Sequence, residues 1–135
     1  MVKGLAHLCI LSKDLHRSEY FYADILKFRK KFNFLKDDEI VGYYLDSGNG
    51  VFIEIFKSEI INLVKKEPIA HFCLEVEDID KEISNLRNHN ITVTAKSLGQ
   101  DNSWQAWFKD PSGIDIEFHQ YTSNSSQINN KDCVL

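Results

Sequence analysis

Two histidines and two glutamates recur at matched places in this chain. His7 stands in "AHLCILSKDL" at 6–15 and His71 in "AHFCLEVEDI" at 70–79, and four of the ten positions are identical (Ala6/Ala70, His7/His71, Cys9/Cys73, Asp14/Asp78). Glu54 stands in "VFIEIFK" at 51–57 and Glu117 in "IDIEFHQ" at 114–120, each directly after an isoleucine. The spacing from histidine to glutamate is 47 residues in the first case and 46 in the second. Two neutral imidazoles and two carboxylates make a donor set for a divalent cation. If the carboxylates are buried they cost several kcal/mol unless something pairs them, and a metal is the most economical partner. A lone histidine in a strand is more often a satisfied core residue; recurrence at one spacing in both halves shifts the reading to a site.

The elements that must position these residues repeat as well. Each half reads as an apolar strand carrying the histidine (4–11 and 70–76), a helix opening on an aspartate (14–26 and 78–89), and three further strands. Those strands are expected at 29–35, 40–46 and 51–57 in the first half, and at 91–95, 104–109 and 114–121 in the second. "SGNG" and "DPSG" supply the turn chemistry before the two glutamate strands. The expected fold class is therefore α+β, two tandem βαβββ modules at about 4–57 and 69–121 within one domain spanning 1–121. Strand alternation puts His7 with Cys9, Glu54 with Phe52 and Phe56, His71 with Cys73, and Glu117 with Asp115 and His119. These side chains are expected on one buried face. Cys9 and Cys73 suit a pocket lining more than a metal, and His119 suits a position beside the site.

At 135 residues and 43% hydrophobic the chain is long enough for a real core. Sixteen basic and twenty acidic residues give a net charge of −4 with no basic stripe, which argues against nucleic acid as a partner. No apolar run reaches the length of a membrane span, and the opening "MVKGLAHLCI" lacks the core of a secretion signal. A cytoplasmic protein with three reduced cysteines (Cys9, Cys73, Cys133) is expected. The polar, aperiodic end of the chain, 122–135, reads as a flexible tail.

The segment "HLCILSKDLHRSEYFYADILKF" resembles the opening of the vicinal oxygen chelate superfamily, the group of glyoxalases, fosfomycin- and bleomycin-resistance proteins and extradiol dioxygenases. The positions that carry the likeness are Asp14, Leu15, Ser18, Phe21, Tyr22, Leu26 and Phe28. Lys27 stands where the family usually has glycine. The close, "FKDPSGIDIEF", resembles the family's ending through Asp110, Pro111, Gly113, Ile116 and Glu117.

Within that family the full set of two histidines and two glutamates is most similar to glyoxalase I. The resemblance implies one divalent metal on His7, Glu54, His71 and Glu117, with Glu117 as the proton-transferring base and Glu54 the weaker candidate. Ni, Zn, Co, Mn or Fe would each suit such ligands. It also implies a small-molecule substrate, a pocket lined by residues such as Cys9, Phe52, Phe56, Cys73, Trp107 and His119, and a homodimer whose sites draw ligands from both chains. Bacterial glyoxalase I carries an arginine and an asparagine where this chain has Leu11 and Ser58, so the implied substrate is a small hydroxy-carbonyl or thiol adduct other than that of glutathione. Two alternatives stay open. "IEFH" resembles the glutamate strand of fosfomycin thiol transferases, and bleomycin-type proteins use the same frame without metal to sequester an aromatic ligand, for which Phe52, Phe56, Trp104 and Trp107 are candidate walls.

Overall fold

The computed structural model describes residues 7–58, 71–130 and 133. The chain divides into two compact units, Met1–Lys66 and Glu67–Leu135. In the first, strand β1 (His7–Ser12) leads through helix α1 (Leu15–Glu19) to β2 (Arg29–Lys36), β3 (Glu39–Gly48) and β4 (Val51–Lys57). In the second, β5 (Phe72–Glu75) leads through helix α2 (Ile79–Asn88) to β6 (Ser97–Leu98), β7 (Trp104–Lys109) and β8 (Asp115–Gln120). The sheets have matching strand orders, β1-β4-β3-β2 and β5-β8-β7-β6, and in each the histidine-proximal strand runs parallel to the glutamate strand while the rest pair antiparallel. The fold is α+β with two mixed four-stranded sheets.

Local chemistry explains the repeated frame. Asp14 and Asp78 cap their helices, accepting from Arg17 N at 3.0 Å and Lys81 N at 3.1 Å, and each cap is worth about 1 kcal/mol. The apolar face of each sheet packs on its helix: Ile10, Tyr43, Leu45, Ile53 and Ile55 in unit 1, and Ala106, Phe108, Ile116 and Phe118 in unit 2 against Ile79, Ile83 and Leu86. The "DPSG" turn closes through Gly113 N donating to Asp110 O at 3.0 Å, with Gly113 at a φ of 91° that an L side chain resists.

Three sequence expectations need correction. The first helix does not run as one α-helix to residue 26. A π-helical stretch, Tyr20–Ile25, comes after α1, and Leu26 N donates to Phe21 O five residues back. Phe21, Tyr22 and Ile25 are buried, and Leu26, whose N–H closes the wider turn, is half-buried. The strand expected at 91–95 is reduced to one bridge, Val93 with Phe108. There the Thr94 hydroxyl accepts the Trp107 N–H at 2.9 Å, taking the donor that a ladder carbonyl would have used. Finally, residues 122–130 are no loose tail. Helix α3 (Ser126–Asn129) comes after a turn held on the 101–103 loop. Gln127 Nε2 donates to Asp101 Oδ2 at 2.7 Å, Ser126 N donates to Asp101 O at 2.9 Å, and the fully buried Ser103 and Ser125 hydroxyls meet at 3.0 Å.

Candidate metal centre

The glutamate and cysteine lie side by side in both units because β1–β4 and β5–β8 are parallel pairs in equivalent register. Cys9 is the cross-strand partner of Glu54, and Cys73 that of Glu117. Both thiols hydrogen-bond the neighbouring carboxylate. Partial burial, then the hydrogen bond and charge of Glu54, push the Cys9 thiol up to about 11. Partial burial, then the charge and hydrogen bond of Glu117, push Cys73 up to about 12.

These faces are the ones turned away from the helices, so Glu54, His71 and Glu117 do not share the buried core face of their sheets as expected, and the expectation for the His7 side chain lies outside what is described. The buried residues of each strand are the alternate ones, Ile53 and Ile55 or Ile116 and Phe118. Glu54 is half-buried and His71 exposed. Glu117 differs, with a side chain only 8% exposed.

Unit 2 surrounds that carboxylate with imidazoles. His119 Nε2–H donates to Glu117 Oε1 at 2.9 Å, and His71 Nε2 lies 3.4 Å from Oε2. Trp107, across the ladder from Glu117, sets its ring edge-on to His71 with centroids 4.7 Å apart. Donor atoms of Cys73, Glu117 and His119 all lie within 4.8 Å of one another. Donors sharing one metal ion stand about 3 to 4.5 Å apart, so this set fits a divalent cation after small side-chain rotations. Trp104, by contrast, pairs with Gln120 on the helix side of the sheet, with Lys96 Nζ 4.7 Å from its ring centroid, and lines no part of this face.

Unit 1 surrounds Glu54 with aromatic rings. Tyr44 is its cross-strand partner, and Phe52 and Phe56 flank it on β4. Phe32 stacks on Tyr44 (4.9 Å), Tyr44 on Phe52 (5.2 Å), and Phe34 on Phe56 (4.5 Å). Gly42 makes room for this layer, since a Cβ there would strike the Ile55 carbonyl and the Phe56 ring. His7 pairs in the ladder with Phe52.

The sequence reading missed Phe32, Phe34 and Tyr44, although alternation along "KKFNFLK" already puts Phe32 and Phe34 on one face. "HxC" and "ExH" on paired strands put His71, Cys73, Glu117 and His119 on one side.

Comparison with known proteins agrees with this frame. The family model of the Glyoxalase/Bleomycin resistance protein/Dioxygenase superfamily matches residues 4–118. The uncharacterized protein YaeR of Escherichia coli K12 is 28% identical over 128 residues, covering 88% of this chain and 97% of that protein. Among solved structures, a superfamily member from Sphaerobacter thermophilus superposes with a TM-score of 0.74 at 18% identity, covering 89% of this chain and 98% of that one. Lactoylglutathione lyase from Agrobacterium tumefaciens gives 0.71 at 18%, covering 88% and 94%. TnmS3, an antibiotic binding protein from a Streptomyces species, gives 0.73 at 15%, covering 90% and 98%. The duplicated frame, its matched histidine and glutamate strands and the family match together establish that this chain belongs to the Glyoxalase/Bleomycin resistance protein/Dioxygenase superfamily.

Proposed function

We propose that the protein is a metal-dependent, glyoxalase-like lyase or isomerase acting on a small hydroxy-carbonyl or thiol-adduct substrate other than the glutathione adduct. The observation that carries this reading is the Glu117 carboxylate, buried between the His71 and His119 imidazoles. A buried carboxylate with two imidazole partners is costly to keep for stability alone and suits proton transfer. His71 and Glu117 of one half, with His7 and Glu54 of the other, are the residues that would hold the metal, the second half-set coming from the partner copy in a homodimer. When bound, a divalent ion polarises the substrate carbonyl and acidifies the adjacent C–H.

The chain's own residues do the rest. Glu117 takes the proton from one carbon and returns it to its neighbour while the hydroxyl proton passes from the first oxygen to the second, so the net change is an isomerisation without gain or loss of atoms. His119 fixes the carboxylate through Oε1. The aromatic layer of Phe52, Phe56 and Tyr44 beside Glu54 suits the apolar part of a substrate. Leu11 and Ser58 offer no charge to grip the carboxylates of glutathione.

The test is proton exchange in D2O, monitored by NMR, with a panel of 2-hydroxy-carbonyl compounds and thiol hemiacetals. Metal-dependent exchange that is lost in Glu117→Gln is expected. Full exchange by that variant would remove Glu117 from the role of base.

A second reading rests on the aromatic layer itself. Five stacked rings on an open face also suit metal-free sequestration of a planar ligand. A planar compound bound equally well with and without chelator would favour that reading.

A further inference from the structure

The two units differ at one position that their repeated frame conceals. Both pair a cysteine with a glutamate across parallel strands and have a histidine two residues before the cysteine, but two residues past the glutamate unit 1 has Phe56 and unit 2 has His119. Phe56 stacks on Phe34, whereas His119 turns its Nε2 to Glu117. Unit 2 therefore carries, within itself, a thiol, a carboxylate and an imidazole whose donor atoms lie within 4.8 Å, with a second imidazole on the far carboxylate oxygen.

We propose that unit 2 alone captures a thiophilic divalent cation through Cys73 Sγ, Glu117 and His119 Nε2, independently of His7 and Glu54. One soft, one hard and one borderline donor select zinc, cadmium or cobalt over magnesium, calcium or manganese. As the sulfur–metal bond forms, the Cys73 S–H bond breaks and its proton leaves to solvent. Cys9 lies outside this set, because Phe56 stands two residues past Glu54 where unit 2 has His119. Glu117 belongs both to this set and to the four-residue set above, so the two modes exclude each other. A cation held by Cys73 and His119 withdraws the base and shuts down turnover. The inference shares with the proposed function only the premise that unit 2 binds a divalent cation.

Cobalt(II) titration of the full chain, read by near-ultraviolet absorption, tests it. Wild type is expected to develop the charge-transfer band of a cobalt–thiolate bond. Cys73→Ser and Cys73→Ala should abolish the band, and His119→Phe should weaken cobalt binding about tenfold or more. Cys9→Ser should leave band and affinity unchanged, and Glu54→Gln should keep the band. Circular dichroism of each variant separates a lost ligand from a lost fold, and the two Cys73 replacements guard against one failing to fold. Cobalt bound without the band, and lost in Glu54→Gln, would overturn this inference while leaving the proposed function standing. Failure of the wild-type protein to bind cobalt at all would overturn both.

Discussion

Replacing Glu117 with glutamine separates what the carboxylate does for the fold from what it does for a metal. The substitution keeps the shape and removes one negative charge from a side chain that is 8% exposed. Two effects then oppose each other in the metal-free protein. The hydrogen bond from His119 loses its charge assistance, a drop from about 1.5–3 to about 0.5–1.5 kcal/mol. Against that, a charge is no longer held out of water, which recovers an energy of similar size. The expected net change is within about 1 kcal/mol, or roughly 4 °C in a chain of this length. With metal the balance changes. At a concentration about 100-fold above Kd, wild type gains about 2.7 kcal/mol, some 10 °C. If the carboxamide weakens binding about 100-fold, the gain falls to about 0.4 kcal/mol. The assay is thermal unfolding of both proteins, with chelator and with each of Ni, Co, Zn and Mn. Equal metal-induced shifts in the two proteins would show that Glu117 is no ligand, and an apo Glu117→Gln protein that fails to fold would show that the carboxylate is structural.

Lys27 adopts a φ of 65°, where an L side chain is strained, so Lys27→Gly should raise the urea midpoint by an amount equivalent to about 0.5 kcal/mol or more; a lower midpoint would refute the strain argument. Asp101 is raised by burial, but hydrogen bonds from the Gln127 side chain and from Ser103 outweigh it and leave the carboxyl below its usual 3.8. Its folded value thus lies under its unfolded one, and its stabilisation is full above pH 3.8 and lost as pH falls through the folded value. Amide exchange along α3 should accelerate in that window, and Asp101→Asn should remove the pH dependence. The glutathione hemithioacetal should be a poor substrate, since each missing anchor of roughly 1–3 kcal/mol lowers kcat/KM about tenfold to a hundredfold; turnover matching that of a dedicated glyoxalase I would refute this.

Much of the frame was legible because it rests on local chemistry. Asp14 and Asp78 announce their helices, "DPSG" its turn, and Ile79, Ile83 and Leu86 the buried stripe of α2, all of which the backbone obeys. What the sequence left unread depended on partners distant along the chain. The Thr94 hydroxyl breaks the expected strand only because Trp107 N lies opposite, and α3 is held by Asp101, over twenty residues earlier. No periodicity marks the π turn at Tyr20–Ile25, since 18, 21, 22 and 25 fit α spacing equally well. At the site, alternation found which residues share a face, but the buried carboxylate is Glu117 and not Glu54, a difference set by the imidazoles around it. His119 acquires its place from the parallel register of β5 and β8, which puts Cys73 beside Glu117.

Whether this chain works with a metal is decided most directly by elemental analysis of protein purified without added metal or chelator, with parallel measurement on Glu117→Gln. About one divalent ion per chain is expected in wild type and a large loss in the variant. Metal-free wild-type protein that takes up none of Ni, Co, Zn, Mn or Fe on incubation, yet binds a planar aromatic compound, would contradict a metal-dependent function.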